Sequence, residues 1–440
     1  MPSEPQQQEL VDWMLEKHRD DRAHRHAPIS TLRQMPGGAE SVKSTEKRTG
    51  PCAGRKVEDD PKLERFIQHF DAKQFRPIIK RIFDINPGES TDPASAWTGI
   101  LGVLNRLSIP IRDRRFRRRI RAGVDRTDTK VIVAEGDSWF QYPFFVTDIV
   151  DHLLRNGRAV CSLAAGGDWI GNMVYEDQYI TELTNYQPEV FLISGGGNDL
   201  VGGSRLATLI DRNPPLLFDA ELTTEETGWK ATIDAMGMDN GDEVPGLTRG
   251  EMIVRGARYL NDDFRALLRV FKCMYLLTFI RIARSRKFGD MIIITQGYDF
   301  AVPNPNRWAW GPPSRWVQNG EWLYRPLLRK GILDRDIQRS VMSACIHCFN
   351  EMLIEVGRHT NKETGGSGMA VWHIDSRGLL KDKDWADELH PHSYAFRWVA
   401  DAYGLVIDGT LAAKAPDMAQ TKVVRVAELK KMGVIPTKPR

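Results

Sequence analysis

Lys130-Val-Ile-Val-Ala134 is followed after one residue by Gly136-Asp137-Ser138-Trp139. The first run is rich in β-branched side chains, as expected for a strand that is covered on both faces of a sheet. A tight turn directly after such a strand exposes a serine hydroxyl at the edge of the sheet. The pattern therefore predicts a buried strand that ends in a candidate nucleophile, although an Asp-Ser helix cap would have the same sequence.

Four further apolar runs are typical of buried strands. They are Val160–Leu163, Val190–Ile193, Met291–Thr295 and Ala370–Ile374. Stretches with helical spacing of apolar residues accompany them, over 145–154, 173–183, 252–286, 337–356 and 394–403. This alternation predicts an α/β fold, a three-layer α/β/α sandwich around a mostly parallel five-stranded sheet, with ligands at the carboxyl ends of the strands.

The 440 residues divide into four segments by composition. Residues 1–60 are polar and lack sustained apolar periodicity, so we expect a flexible N-terminal tail. A helical, basic N-terminal region over 61–127 precedes the α/β domain of residues 128–410, which carries insertions at about 202–250 and 301–326. Residues 411–440 are expected to form a C-terminal tail.

The overall composition favours no special compartment or partner. The 61 Lys and Arg residues nearly balance 58 Asp and Glu residues, for a net charge of +3. The first residues lack the basic and apolar regions of a secretory signal, no apolar run is long enough for a membrane span, and five scattered cysteines do not indicate a disulfide framework. These features predict a cytoplasmic protein.

The run Arg112–Arg121 contains seven arginines and leaves two interpretations open. In the first, the arginines cover the solvent side of a helix whose apolar face carries Ile111, Phe116 and Ile120. Alternatively, the run makes a peripheral contact with an anionic membrane. Nucleic acid is the less expected partner, and it belongs to a different class of function in which the basic N-terminal region binds and the α/β domain is only a scaffold.

Polar blocks follow three of the other strands. They are Gly166-Gly167-Asp168-Trp169, Gly195-Gly-Gly-Asn198-Asp199 and Trp385-Ala-Asp387-Glu388-Leu-His390. An Asn amide at a strand end can donate to a developing oxyanion, and an Asp three residues before a His can orient the imidazole as a base. Each block alone is also compatible with an ordinary turn or cap.

Taken together, the blocks resemble those of the SGNH (GDSL-type) hydrolase superfamily. The resemblance rests on Gly136-Asp137-Ser138, Gly167, Gly196-x-Asn198-Asp199 and Asp387-x-x-His390, and it covers roughly residues 128–405. It implies a flavodoxin-like α/β/α fold and a serine hydrolase that cleaves carboxylic esters through an acyl-enzyme.

The resemblance also implies roles for individual residues. Ser138 is the expected nucleophile, His390 the base and Asp387 its orienting partner. The expected oxyanion donors are the backbone amides of Ser138 and Gly167 and the side chain of Asn198. The sequence differs from the family pattern or leaves it ambiguous at three points. Trp139 replaces the Leu of the family motif, Gly166 is an alternative to Gly167 as donor, and Glu388 is an alternative to Asp387 as the carboxylate that orients the histidine.

Tryptophans next to the blocks suggest a partly apolar substrate pocket. Trp139, Trp169 and Trp385 are the candidates, and the tryptophan-rich insertion at 301–326 is expected to roof it. A lipid or phospholipid acyl ester is the favoured substrate, with carbohydrate O-deacetylase and thioesterase activities as alternatives. The chemistry calls for no metal and no cofactor.

Overall fold

The computed structural model describes residue 51 and residues 96–121, 130–142, 146–305, 322–365 and 369–437. Within these ranges the chain is an α/β protein with one sheet and fourteen α-helices. The expected N-terminal tail falls outside the described residues apart from position 51. Residues 61–95 and 122–127 of the basic region predicted over 61–127 also fall outside them, as do residues 306–321 of the insertion predicted at 301–326.

All six strands of the sheet are parallel. They are Val131–Gly136 (β1), Ala159–Ser162 (β2), Val190–Ser194 (β3), Ile292–Gln296 (β4), Ala370–Asp375 (β5) and Val423–Arg425 (β6). Their spatial order is β2-β1-β3-β4-β5-β6. β1 lies between β2 and β3, so the direction of winding reverses at β1. Open α/β sheets bind ligands in the crevice at such a point, which here lies at the carboxyl ends of β1 and β3.

The helices lie before, between and after the strands. Their bounds are Ala96–Arg121 (α1), Ile149–Arg155 (α2), Ile170–Glu176 (α3), Gln178–Tyr186 (α4), Gly197–Val201 (α5), Thr224–Asp234 (α6), Arg249–Ala257 (α7), Asp262–Ala283 (α8), Tyr324–Lys330 (α9), Arg335–Glu363 (α10), Ser393–Ile407 (α11), Leu411–Lys414 (α12), Pro416–Thr421 (α13) and Val426–Lys431 (α14).

Two groups of helices cover the sheet. Helix α2 packs against α11, and both contact strands, while α8 packs against α3 and α10, which themselves contact β1 and β5. Every residue of β1 and β3 is buried, in agreement with the β-branched runs expected of strands covered on both sides. The arrangement is consistent with an α/β/α sandwich.

The predicted number of strands is wrong by one. β6 pairs with β5 in parallel, with His373 opposite Val423 and Asp375 opposite Arg425. It lies in the segment that we expected to be a C-terminal tail, and the small helix α14 that follows it packs against α11. A strand of three residues with one buried side chain carries too little pattern to be distinguished from a turn.

Two predicted helices are each divided in the structure. The stretch over 173–183 is broken at Asp177, which has a left-handed backbone with φ of 48° between α3 and α4. The stretch over 252–286 is broken between α7 and α8, where the side chain of Asn261 accepts the amide of Phe264 and caps the second helix. Apolar periodicity continues across both breaks, so the pattern alone did not reveal them.

The arginine run lies on α1, but its faces differ from the expected ones. Ile111 and Ile120 are 41% and 38% exposed, whereas Phe116 and Arg112 are buried. Arg112 donates to the carboxylate of Asp148 and to the carbonyl of Phe140 (2.6 Å). The solvent side of the helix carries the exposed arginines Arg114, Arg115, Arg117, Arg118 and Arg121.

Two smaller observations complete the fold. None of the helices in the described ranges is both long enough and apolar enough to cross a bilayer. Cys345 and Cys348, three residues apart on α10, are both buried, but Cys345 is a free thiol and Cys348 is disulfide-bonded, so the two do not form a dithiol site.

Candidate active site

A tight turn after β1 carries Ser138. The amide of Asp137 donates to the carbonyl of Ser194 at the end of β3 (3.0 Å), and the amide of Phe140 returns to the carbonyl of Asp137 (3.0 Å). A Cβ atom on Gly136 would lie 2.7 Å from the Phe140 ring, so glycine is needed there for space. Ser138 is partly exposed while the residues on both sides of it are buried.

Ser138, His390 and Asp387 form one hydrogen-bonded chain. His390 Nε2 lies 2.7 Å from Ser138 Oγ, and His390 Nδ1 lies 2.9 Å from each carboxylate oxygen of Asp387. Asp387 and His390 lie on one loop, which is closed by a hydrogen bond from the amide of Ala386 to the carbonyl of His390 (2.8 Å). With its Nδ1 proton held by the carboxylate, the imidazole presents Nε2 as the acceptor for the serine proton.

Asp387 is held by more than the histidine. Its Oδ1 accepts the backbone amides of Leu389 (2.8 Å) and His390 (2.7 Å), and its Oδ2 accepts the hydroxyl of Tyr142 (3.2 Å). Burial by itself would raise the pKa of Asp387, but the charge of His390 and the hydrogen bonds from His390 and from the amide of Leu389 outweigh it, so that the pKa is lowered. Asp387 is therefore ionised when it orients the imidazole.

Tyr142 connects the triad to α1. Its ring lies 4.4 Å from the His390 ring, measured between centroids. Its backbone amide donates to the carboxylate of Asp148 (2.8 Å), the same carboxylate that pairs with Arg112 of α1. The position of Tyr142 beside the triad thus depends on a buried ion pair that the sequence did not reveal.

The predicted oxyanion donors lie on three loops that are bonded to one another. Asn198 is at the start of α5, and its side-chain amide donates to the carbonyl of Asp168 (2.9 Å), which uses one of its two protons. The loop that contains Asp168 is hydrogen-bonded to the end of β1. Gly167 has a φ of 86°, which side-chain-bearing residues rarely adopt, whereas Gly166 does not have a positive φ.

Tyr298 links two of these loops through its hydroxyl group. Its hydroxyl donates to the carboxylate of Asp137 and accepts the amide of Gly197 (3.2 Å), next to Asn198. The hydroxyl of Ser194 donates to the same carboxylate (3.1 Å). Burial raises the pKa of Asp137 in spite of these bonds. The carboxylate next to the nucleophile is therefore a structural anchor, which accepts the hydroxyls of Tyr298 and Ser194 and the amide of Trp139.

Two more acids near the oxyanion loops have raised pKa values. Burial raises the pKa of Asp168 to about 7 and that of Asp199 to about 6. The first accepts the amide of Trp169 (2.8 Å), and the second accepts the amide of Ile170 (3.0 Å), so both hold the N-terminal end of α3 in place.

The tryptophans predicted to line a pocket are placed differently from one another. Trp139 and Trp385 are each only 3% exposed and belong to the core, and the indole of Trp139 donates to the carbonyl of Leu389 (3.1 Å). Trp169 is half-buried, with the guanidinium of Arg205 4.6 Å from its ring. The half-buried tryptophan that does meet the triad is Trp322, whose ring lies 6.1 Å from that of His390 and nearly perpendicular to it.

Glu388 and Asp387 are distinguished by their contacts. Of these two acids, Asp387 bonds to the imidazole, while Glu388 accepts backbone amides from residues 304 and 322–324. Tyr142, Tyr298, Trp322 and Glu388 were not assigned these functions from sequence. A usable signal existed for Tyr298, because it follows β4 at the same edge of the sheet as the four polar blocks.

A scan against protein-family models gives no match for this chain, and a search of curated proteins gives none either.

Proposed function

We propose that this chain is a serine hydrolase of the SGNH (GDSL-type) class that cleaves carboxylic esters. The observation that carries the proposal is the chain Ser138–His390–Asp387, with contacts of 2.7 and 2.9 Å, at the carboxyl-end crevice of a parallel sheet. Nucleophile, base and orienting carboxylate each have the partner that their role requires. The order of polar blocks along the chain supports the same class.

The proposed reaction proceeds through an acyl-enzyme. Ser138 Oγ attacks the ester carbonyl carbon while its proton passes to His390 Nε2, which gives a tetrahedral oxyanion. The bond to the alcohol then breaks, and His390 returns the proton to the leaving alkoxide. Water repeats the sequence: its proton goes to His390, its oxygen bonds to the acyl carbon, and Ser138 leaves with the proton.

The oxyanion is the charge that the site must stabilise. In the proposal, the amides of Ser138 and Gly167 and the second side-chain proton of Asn198 donate to it. The hydrogen bond of Asn198 to Asp168 and the Tyr298 bridge hold the donors in place before the substrate arrives. Donors fixed in advance contribute more than mobile ones because they need no reorganisation during the reaction.

We favour a lipid or phospholipid acyl ester as substrate, on the basis of α1. Its exposed arginines are Arg114, Arg115, Arg117, Arg118 and Arg121, and Ile111 lies exposed among them. Of these arginines, Arg117 has an ion pair with Asp113 (2.9 Å). A cationic face that also displays an apolar side chain suits an anionic lipid surface better than a nucleic acid, which offers no apolar phase.

Fluorophosphonate labelling followed by intact-mass measurement tests the reaction class. We expect one adduct on the wild type, and its loss in Ser138→Ala and in His390→Ala. Ser162→Ala is a matched control, because this serine lies at the end of the neighbouring strand β2 and has no contact with the triad; it should label like the wild type. A folded wild type that forms no adduct would refute the proposal.

An ester panel then separates the substrate classes. Preference for long acyl chains supports the lipid esterase, whereas preference for acetylated sugars or for acyl thioesters would replace it by a carbohydrate deacetylase or a thioesterase. Salt-sensitive binding to nucleic acid by a chain that does not label would favour the binding function instead.

A further inference from the structure

Glu388 is adjacent to Asp387 of the triad, but its carboxylate is hydrogen-bonded to backbone amides and not to the imidazole. It is 1% exposed, and its two oxygens share four backbone amide donors. Oε1 accepts the amides of Asn304 (3.0 Å) and Tyr324 (2.9 Å), and Oε2 accepts those of Trp322 (3.1 Å) and Leu323 (3.2 Å). Among the described residues no Lys or Arg forms an ion pair with it, so backbone dipoles balance its charge.

These four amides belong to two segments, at residue 304 and at residues 322–324, and both are more than sixty positions before Glu388 in the sequence. Asn304 lies in the segment after β4, and the other three donors immediately precede or begin α9. The carboxylate therefore fixes both segments against the loop that carries Asp387 and His390. A second contact reinforces this: the guanidinium of Arg335, on α10, donates to the carbonyl of Pro303 (3.0 Å).

Trp322 is the side chain that this arrangement brings to the triad. Its backbone amide is bonded to Glu388, and its ring meets the His390 ring edge-on at 6.1 Å. In the proposed reaction, His390 gives its proton to the leaving alcohol, so the alcohol group must lie next to this imidazole. An indole fixed there is an apolar wall on the alcohol side of the substrate.

We propose that Glu388 is a positioning residue that holds Trp322 against His390, and that this wall selects esters with an extended apolar alcohol group. The inference rests on the proposed esterase function and deepens it. Trp322 contacts the substrate directly, and Glu388 acts through it. Loss of the carboxylate geometry should thus change specificity and leave the acid–base chemistry of the triad intact.

Two acetate esters, ethyl acetate and hexyl acetate, separate these effects. They share the acyl group and have alcohols of nearly equal acidity, so the ratio of their kcat/KM values reports contacts to the alcohol chain. Glu388→Gln keeps the size of the side chain but places an amide NH₂ against two backbone N–H donors. We expect the hexyl-to-ethyl ratio to fall by about 10-fold or more, with kcat for ethyl acetate changed by less than about threefold.

Asp384→Asn is the matched control. Asp384 is also a buried carboxylate of this loop, and it accepts the hydroxyl of Tyr394 (2.8 Å) and the amide of Lys381 (2.9 Å) without contact to Trp322. Its substitution should leave the ratio unchanged. Trp322→Ala should lower the ratio as Glu388→Gln does, and it tests the wall even if the latter variant does not fold.

A pH series gives a readout that general loosening of the loop would not. Burial raises the pKa of Glu388 to about 7, and the four amide hydrogen bonds oppose this rise. The ionisable groups around it are Asp387 and His390 on its own loop, Tyr324 on α9 and Arg335 on α10. Below pH 7 one oxygen of Glu388 becomes a hydroxyl and loses acceptor capacity, so the ratio should fall. Titration of the triad changes kcat/KM by the same factor for both esters, so it cancels in their ratio.

The outcomes are distinct. The inference is supported by a ratio that falls in Glu388→Gln and in Trp322→Ala. The ratio must also fall as the pH is lowered in the wild type and in Asp384→Asn, but not in the first two variants. A ratio that is unchanged in Trp322→Ala overturns it and leaves the esterase proposal standing. A wild type that neither labels with fluorophosphonate nor hydrolyses either ester overturns both.

Discussion

The substitution Asp387→Asn tests the triad at its least obvious member. Oδ1 of Asp387 accepts the amides of Leu389 and His390 at 2.8 and 2.7 Å, and an asparagine can satisfy both only by placing its carbonyl oxygen there. Its NH₂ group then takes the place of Oδ2, which faces His390 Nδ1 and the hydroxyl of Tyr142. A donor at this place opposes a protonated Nδ1, and Oδ1, which lies equally close to Nδ1, already accepts two backbone amides, so we expect the ring proton to move to Nε2, where it points at Ser138.

An imidazole with its proton on Nε2 cannot take a proton from the serine. Substitutions of this kind lower kcat by about 10⁴-fold while the geometry persists, which corresponds to about 5.5 kcal/mol of activation free energy. The assay is steady-state hydrolysis of a short-chain ester with an active-site titration, accompanied by thermal unfolding. We expect KM and the melting temperature to stay near those of the wild type.

The control for this experiment is Asp384→Asn, which removes a buried carboxylate from the same loop without contact to the imidazole. It should retain at least about a third of the wild-type kcat. If Asp387→Asn stays folded and keeps kcat within tenfold of the wild type, Asp387 is not the residue that sets the histidine tautomer, and the assignment of the triad fails.

Three further predictions concern the oxyanion, the buried ion pair and the arginine face. Asn198→Ala should lower kcat by about 100- to 1000-fold with little change in KM, and unchanged turnover in a steady-state assay would remove Asn198 from the mechanism. Arg112→Ala leaves the carboxylate of Asp148 buried without its cation, so urea unfolding should show a loss of about 3–5 kcal/mol; a loss below about 1 kcal/mol would mean that water replaces the guanidinium. The double charge reversal Arg114→Glu with Arg118→Glu should weaken co-sedimentation with phosphatidylserine vesicles by at least about tenfold, since each basic residue near such a surface contributes about 1 kcal/mol. Equal binding of the wild type to neutral phosphatidylcholine vesicles would contradict it.

The strands were largely predictable because each is a short, uninterrupted apolar run. β1, β2, β3, β4 and β5 begin and end within about two residues of the predicted positions. Strands buried on both faces leave this mark in any sequence, whatever they pair with. β6 was not predicted because it is an edge strand of three residues with one buried side chain. Neither its length nor an alternating pattern distinguishes it from the surrounding basic segment.

The residues of the triad and the oxyanion donor Asn198 were predictable for a different reason, which is their position after strand ends. Ser138, Asn198 and the pair Asp387 and His390 follow β1, β3 and β5, and parallel strands bring their carboxyl ends to one edge. Tyr142 and Trp322 have no such marker. Their places beside His390 depend on how Asp148 and Glu388 close the surrounding loops, and those contacts join residues six to sixty-six positions apart.

Burial explains why the site carries several carboxyl groups with raised pKa values, and the hydrogen bonds that these groups accept oppose the rise. Asp168 and Glu388 have a pKa of about 7 and Asp199 one of about 6, whereas unfolded chains have values near 4. The folded state therefore binds these protons more tightly than the unfolded state. Their contribution to stability is greatest below about pH 4 and is lost as the pH rises through 6 to 7. At neutral pH these carboxyl groups are partly ionised, which lowers the stability of the folded state. The ionised groups accept the backbone amides that hold α3, Trp322 and the oxyanion loops in place.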